Sequence, residues 1–277
     1  MTTFETGTDE LLAHRVGHVG VITFNRPERR NALSDAMYHG FQMALPVMST
    51  NPDIRVVMLT GAEGAFCAGG DVKSMHASNS SGETRHGQPE RDDDRLSYLR
   101  MRHRWVSEAI HSLPKPVVAA LPGPAAGAGL SMALAADLRI AAERALLVTA
   151  FANVGASGDF GGSWFLTQLV GAAKAKELYF NSPRLTAAEA AELGIVNTVL
   201  PDEGFADAAL DYCHELAERA PIALRYMKEN INRATHVDLL TALDAEAANM
   251  VHTMGTADHR EAAAAFVEKR SPKFIGE

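Results

Sequence analysis

The sequence is poor in cysteine, poor in aromatics and without a surplus of basic residues. Its only cysteines, Cys67 and Cys213, are too few for a disulfide framework or a thiolate metal cluster, so a reducing, cytoplasmic setting is expected. Lys and Arg total 26 against 34 Asp and Glu, a net charge of −8, which excludes a protein that coats nucleic acid. The 11 histidines are scattered. His14 and His18 are four apart, but beside or within a strand that spacing holds them too far apart to share a metal, so no metal site is expected. The first residues, Met1 to Glu5, lack the basic start and apolar run of a secretory signal. No apolar run long enough to span a bilayer is free of breakers either. The longest uncharged stretch, Pro116 to Ala136, contains Pro122, Gly123, Pro124, Gly127 and Gly129, which fits a strand, a turn and a helix better than a bilayer span. A G-x-G-x-x-G after the first strand and a Walker lysine are both missing. What remains, 47% apolar and 22% charged residues over 277 positions, is an ordinary globular chain of one large domain or two small ones.

The apolar pattern predicts strands at 18–25, 54–60, 117–121, 138–142, 146–149 and 195–200. Helices are predicted at 31–48, with Pro46 disturbing its last turns, and at 127–136, 164–170, 173–180, 187–193, 205–218, 222–232, 237–254 and 256–269. Strands alternate with helices to about residue 200 and helices dominate after it. The expected architecture is therefore an α/β core over 1–200 with a helical region over 201–277. The stretch 78–104 stands apart, with Ser and Gly followed by Asp92-Asp93-Asp94 among many arginines. It reads as a solvated loop leading into a charged helix, or as a lid whose arginines meet an anionic ligand.

Three Gly-rich turns, 61–70, 123–129 and 155–162, each follow a buried β run. Glycines at a strand end let the backbone approach a ligand and aim N–H groups at it. The second turn leads into a helix, which puts the N–H groups of Ala128 and Gly129 at the positive end of its dipole, suited to a developing oxyanion. The alternative is that these are tight connections in a compact domain. Gly129-Leu130-Ser131-Met132-Ala133 loosely matches a nucleophile elbow, but the turn precedes the helix start instead of falling at Ser131.

Several motifs then occur in a specific order. They are Asn25-Arg26-Pro27 with Asn31-Ala32-Leu33, Phe66 to Val72, Pro122-Gly123 through Gly127-Ala128-Gly129 to Asp137, Gly161-Gly162, Val170-Gly171, and the ending Phe266 to Phe274. Together they resemble the crotonase (enoyl-CoA hydratase/isomerase) superfamily over nearly the whole chain. The resemblance implies a spiral of ββα units with a C-terminal helical region that supports trimers, often paired into hexamers. It implies acyl-CoA thioesters as ligands, with CoA part of the substrate and no separate cofactor, and chemistry through a thioester enolate. By motif position Ala68 and Ala128 would supply the two oxyanion N–H groups. CoA would be held by the loop Ala65, Ala68, Gly69, Gly70, Asp71 and Val72, with Arg26, Arg29 or Arg30 near the first strand's end. Lys269, from this or a neighbouring subunit, would meet the CoA phosphates.

The departures from the family pattern carry the functional expectation. Hydratases of the family carry one Glu at the position of Ser131 and a second at that of Phe151, and both are missing here. Water addition needs a base for the water and a proton for carbon, so the ordinary hydratase mechanism cannot be assigned. Asp159, just before Gly161-Gly162, lies where dienoyl-CoA isomerases, ring-epoxide phenylacetyl-CoA isomerases and 4-chlorobenzoyl-CoA dehalogenases of the family place a working Asp. The dehalogenase pattern has Trp where Phe151 stands. The resemblance therefore implies an acyl-CoA double-bond or ring isomerase with Asp159 as a single proton shuttle. Burial among Phe151, Phe160 and Trp164 would raise its pKa. Asp159 could instead cap the helix starting near Gly161. A hydratase with a non-standard mechanism and a non-catalytic acyl-CoA binder are the competing functions.

Overall fold

The computed structural model describes residues 1–71 and 91–277. Val72 and the part of the 78–104 segment before residue 91 lie outside the described residues. Among the described residues, seven strands form the main sheet: β1 (Thr2–Phe4), β2 (Leu11–Val16), β3 (Val19–Phe24), β4 (Val56–Gly61), β5 (Val117–Leu121), β7 (Leu138–Ala142) and β10 (Thr198–Leu200), in the order β1-β2-β3-β4-β5-β7-β10. The first three pair antiparallel and those from β3 onward pair parallel. A second sheet joins β6 (Ala125–Ala126), β8 (Leu146–Val148) and β9 (Leu185–Thr186).

The central parallel strands β4, β5 and β7 are largely buried on both faces, as their apolar runs predict. One face, with Val57, Leu59, Val117, Ala119 and Leu121, packs on the main core together with helices α1 (Asp35–Thr50) and α4 (Ala128–Ala135). The other, with Val19, Val56, Met58, Val118 and Ile140, packs on Phe205, Ala209 and Cys213 of α7 (Phe205–Ala217). The charged stretch yields α2 (Asp92–His103), which runs through a π turn at Arg104–Glu108 into α3 (Ala109–Ser112). α5 (Gly162–Asn181) bends at Gly171, so the two predicted helices 164–170 and 173–180 are one interrupted element. α6 (Ala187–Glu192), α8 (Pro221–Ala234), α9 (Leu239–Met254) and α10 (Ala257–Glu268) are the remaining α-helices among the described residues. No helix among the described residues is long and apolar enough to cross a membrane.

Pro46 does not end α1, which continues to Thr50. Its ring lies on the exposed face, where the carbonyl left without an N–H partner can meet water, and the Thr50 hydroxyl donates to the Pro46 carbonyl at 2.9 Å. The sequence reading missed β1, β2, β6 and β9. Two of these are only two residues long and exist through pairing alone.

Candidate active site

The first turn fixes the loop that follows β4. Arg30 and Asn31 both take the left-handed conformation, at φ 51° and 57°. Asn31 is fully buried. Its side-chain oxygen accepts from Arg26 N–H at 2.9 Å and its amide donates to the carbonyls of Ala62 and Ala65 at 2.9 and 2.8 Å. Leu33 N–H reaches the Gly69 carbonyl at 2.8 Å, and Ala68 N–H reaches the Arg30 carbonyl at 3.0 Å. The Asn25-to-Leu33 motif is thus a clamp on the 62–70 loop.

That clamp corrects the oxyanion assignment. The Ala68 N–H is already engaged by Arg30, so it is not free for a ligand. Among the described residues, the N–H groups of Gly70 and Ala128 donate to nothing, and both residues line one cavity of about 280 Å³. Ala128 is the first residue of α4, so its N–H is one of the orphan donors at the positive end of the helix dipole. Close approach of the two loops needs glycine. A Cβ on Gly129 would stand 2.3 Å from the Cys67 carbonyl oxygen, and Gly69 has φ +82° with Ala126 O only 2.6 Å from where its Cβ would be.

Asp159 lines the same cavity, held in a chain segment of left-handed residues, Gly158, Phe160 and Gly161, at φ 106°, 50° and 74°. A bulky residue with positive φ is strained. Phe160 is kept there by stacking on Tyr38 (centroids 5.7 Å apart) and by His103, whose Nε2 accepts from Phe160 N–H at 3.3 Å. Burial pushes the Asp159 carboxyl up to about 6, and its Oδ1 is buried with no partner among the described residues. Asp159 does not cap α5, whose N-cap is Gly161 and has no side-chain cap bond. Among the described residues, the other two carboxylates on the cavity wall have cations. Asp35 binds Arg102, and Asp71 lies 3.7 Å from Arg26.

The remaining sequence-predicted residues divide. Phe151 and Phe160 line the cavity with Asp159. Trp164 does not. It stacks on His236 and meets His111 edge-on, lining a different cleft, because helix α5 turns it away from Asp159. Ser131 lies behind the wall, almost fully buried, with its hydroxyl donating to the Gly127 carbonyl at 3.3 Å and packed against Gly162, so it is neither a pocket residue nor an exposed nucleophile. Arg26 is taken up by Glu10, Glu28, Asp71 and the Ala32 carbonyl, which leaves it fastening the loop instead of meeting a phosphate. Ala65 serves the Asn31 clamp. Arg29 and Arg30 are exposed and do not line the cavity, and Lys269 is exposed at the C-cap of α10. Gly70 as a donor, and Tyr38 and His103 as site neighbours, were not foreseen, while Arg102 is one of the 78–104 arginines that the lid reading set against an anionic ligand. Among the described residues no group of three His, Cys, Asp or Glu could hold a metal.

Residues 15–277 match the family model described as enoyl-CoA hydratase/isomerase. The 1,2-epoxyphenylacetyl-CoA isomerase of Escherichia coli is 36% identical over 96% of this chain and 98% of its own. The short-chain-enoyl-CoA hydratase of Clostridium acetobutylicum is 30% identical over 95% of this chain and 96% of its own. The crystal structure of an enoyl-CoA hydratase from Polaromonas sp. JS666 superposes with a TM-score of 0.87 at 35% identity, covering 95% of this chain and 99% of that one.

Proposed function

The chain belongs to the enoyl-CoA hydratase/isomerase family, and from that footing we propose that it is an acyl-CoA double-bond or ring isomerase with Asp159 as its single proton shuttle. One observation carries the reading. Among the described residues, a half-buried carboxylate without a cation shares a cavity with two uncommitted backbone N–H groups, while the other two carboxylates there are held by arginines. In a 3-enoyl-CoA, Asp159 takes the α proton and the electron pair moves to the thioester oxygen, held by the N–H groups of Gly70 and Ala128. Asp159 then returns the proton to the γ carbon as the double bond shifts to the α,β position. Both donors act on charge that appears only on the way to the enolate, which is where binding accelerates a reaction. A carboxyl titrating near 6 can both accept and return a proton near neutrality. Ordinary hydration lacks its second acid–base group here, since Phe151 supplies none and Ser131 lies outside the cavity. We propose that CoA runs along the 65–71 loop past exposed Arg29 and Arg30, with Lys269 of this or a neighbouring subunit at its phosphates.

The test compares trans-3-hexenoyl-CoA isomerisation with crotonyl-CoA hydration. Isomerisation should be faster by about 100-fold or more, the usual worth of one positioned acid–base group. Faster hydration would overturn the isomerase reading.

We also propose assembly as a homotrimer or a dimer of trimers. The supporting observation is an uncovered apolar face on the C-terminal helices, with Leu240 and Val251 of α9 at 73% and 74% exposure and Phe266 and Val267 of α10 still more exposed. Sedimentation equilibrium should give three or six times the 29.7 kDa chain mass, and Leu240→Asp with Val251→Asp should reduce it. A monomeric wild-type protein would contradict the proposal.

A further inference from the structure

One arginine of the charged stretch differs from its neighbours. Arg91, Arg95, Arg100 and Arg104 are exposed, whereas Arg102 is 6% exposed and lines the cavity that holds Asp159. Its guanidinium lies between two rings, 4.3 Å from the centroid of Tyr38 and 4.2 Å from that of Tyr98. Nη2 binds Asp35 and, at 2.9 Å, the Tyr98 hydroxyl. Those contacts would suffice to pin α2 to α1. They leave the rest of the group unexplained. Nε is buried with no partner, and Nη1 donates to nothing among the described residues. The Tyr38 hydroxyl also has no hydrogen bond among the described residues, and it lies within the fields of both Arg102 and Asp159.

A plain hydrocarbon chain in this cavity would exclude water from Nη1 and the Tyr38 hydroxyl and give nothing back, and unpaired buried donors are costly. Planar guanidinium N–H groups and a phenol suit one ligand feature, an oxygen acceptor. The thioester oxygen is assigned to Gly70 and Ala128, so the acceptor must be a different atom of the ligand. We propose that Arg102 and Tyr38 read an oxygen on the acyl group, and that the acyl-CoA this protein takes is oxygenated (hydroxyl, carbonyl or carboxylate) away from its thioester. This rests on the acyl-CoA reading of the site but not on Asp159 being the base. Weaker binding of plain chains follows from the same geometry, because a site built to hydrogen-bond a substrate oxygen discriminates against the analogue lacking it.

Binding to saturated esters separates the claims, since it needs no turnover. Titration calorimetry would compare glutaryl-CoA with pentanoyl-CoA, and adipoyl-CoA and 6-hydroxyhexanoyl-CoA with hexanoyl-CoA. At least one oxygenated ester should bind about tenfold or more tighter than its methyl-ended partner, as expected for a hydrogen-bonded substrate oxygen. In Arg102→Met that ratio should fall to within about twofold, and Tyr38→Phe, which keeps the ring packing, should lower it partway. Methyl-ended esters binding as well as the oxygenated ones in every pair overturns the inference on the wild-type protein alone, whether or not the variants fold. A preference that survives Arg102→Met in folded protein overturns the role of Arg102. Failure of every ester and of CoA itself to bind overturns the acyl-CoA reading, and this inference with it.

Discussion

Asp159→Asn should lower isomerisation of a 3-enoyl-CoA by about 10²- to 10⁴-fold, the range a single acid–base group supplies. The amide keeps the size of the side chain and removes only its ability to carry a proton, so KM should change little. In the wild-type protein kcat/KM should rise with pH through a midpoint near the Asp159 value of about 6, because only the ionised carboxylate accepts the substrate proton. The same variant should change stability in a defined window. The folded carboxyl is raised from 3.8 to about 6 by burial, so the folded state holds its proton more tightly than the unfolded chain. No cost of ionisation falls on the fold below pH 3.8, and the full cost is reached above about 6. Asp159→Asn should therefore match the wild-type protein at low pH and exceed it at pH 8 by about 2 kcal/mol, after allowing for the part of the group still exposed. Equal activity in the two proteins would remove Asp159 from the mechanism. Equal stability at pH 8 would show that the carboxyl is not desolvated.

Ala128→Pro should cost about 10²- to 10³-fold in kcat with the fold intact, because it deletes an oxyanion donor and nothing that the helix uses. The first position of a helix tolerates proline, since its N–H has no intrahelical partner. Gly127 before it sits at φ 51°, ψ −124°, the mirror image of the extended geometry that residues before proline prefer, and glycine adopts either hand. Circular dichroism and thermal unfolding close to wild type, with activity lost, is the expected result. Activity retained would show that Ala128 N–H does not hold the developing charge. Truncating side chains at these positions is uninformative, because the working groups are backbone.

The fold was legible wherever it rests on apolar pattern. β5 and β7 were predicted residue for residue, and the C-terminal helices within about two residues, because their cores are periodic and their ends carry caps such as Asp238 and Thr256. The site was legible as three glycine turns and one unexplained Asp. The choice of donor within 68–70 was not legible. It depends on which N–H the Arg30 carbonyl takes, and that carbonyl is aimed by two left-handed residues more than 30 positions upstream. Arg26 looked available because its partners Glu10 and Asp71 are distant in sequence. Trp164 looked close to Asp159 because it is only five residues on, but those residues turn into a helix and carry it to another face. Arg102 was hidden among arginines that do face water. A helix period places one of every few inward, and the sequence carried no sign of which one.

The central claim is that this site forms a thioester enolate, and solvent-deuterium exchange tests it without knowledge of the true substrate. A saturated or 3-enoyl acyl-CoA incubated with the protein in D₂O should gain deuterium at the α carbon, and in the enoyl ester at the γ carbon as well. That exchange should follow the pH dependence of Asp159 and be lost in Asp159→Asn. Tight binding of the same esters with no deuterium at either carbon would contradict the account and leave a protein that holds acyl-CoA without acting on it.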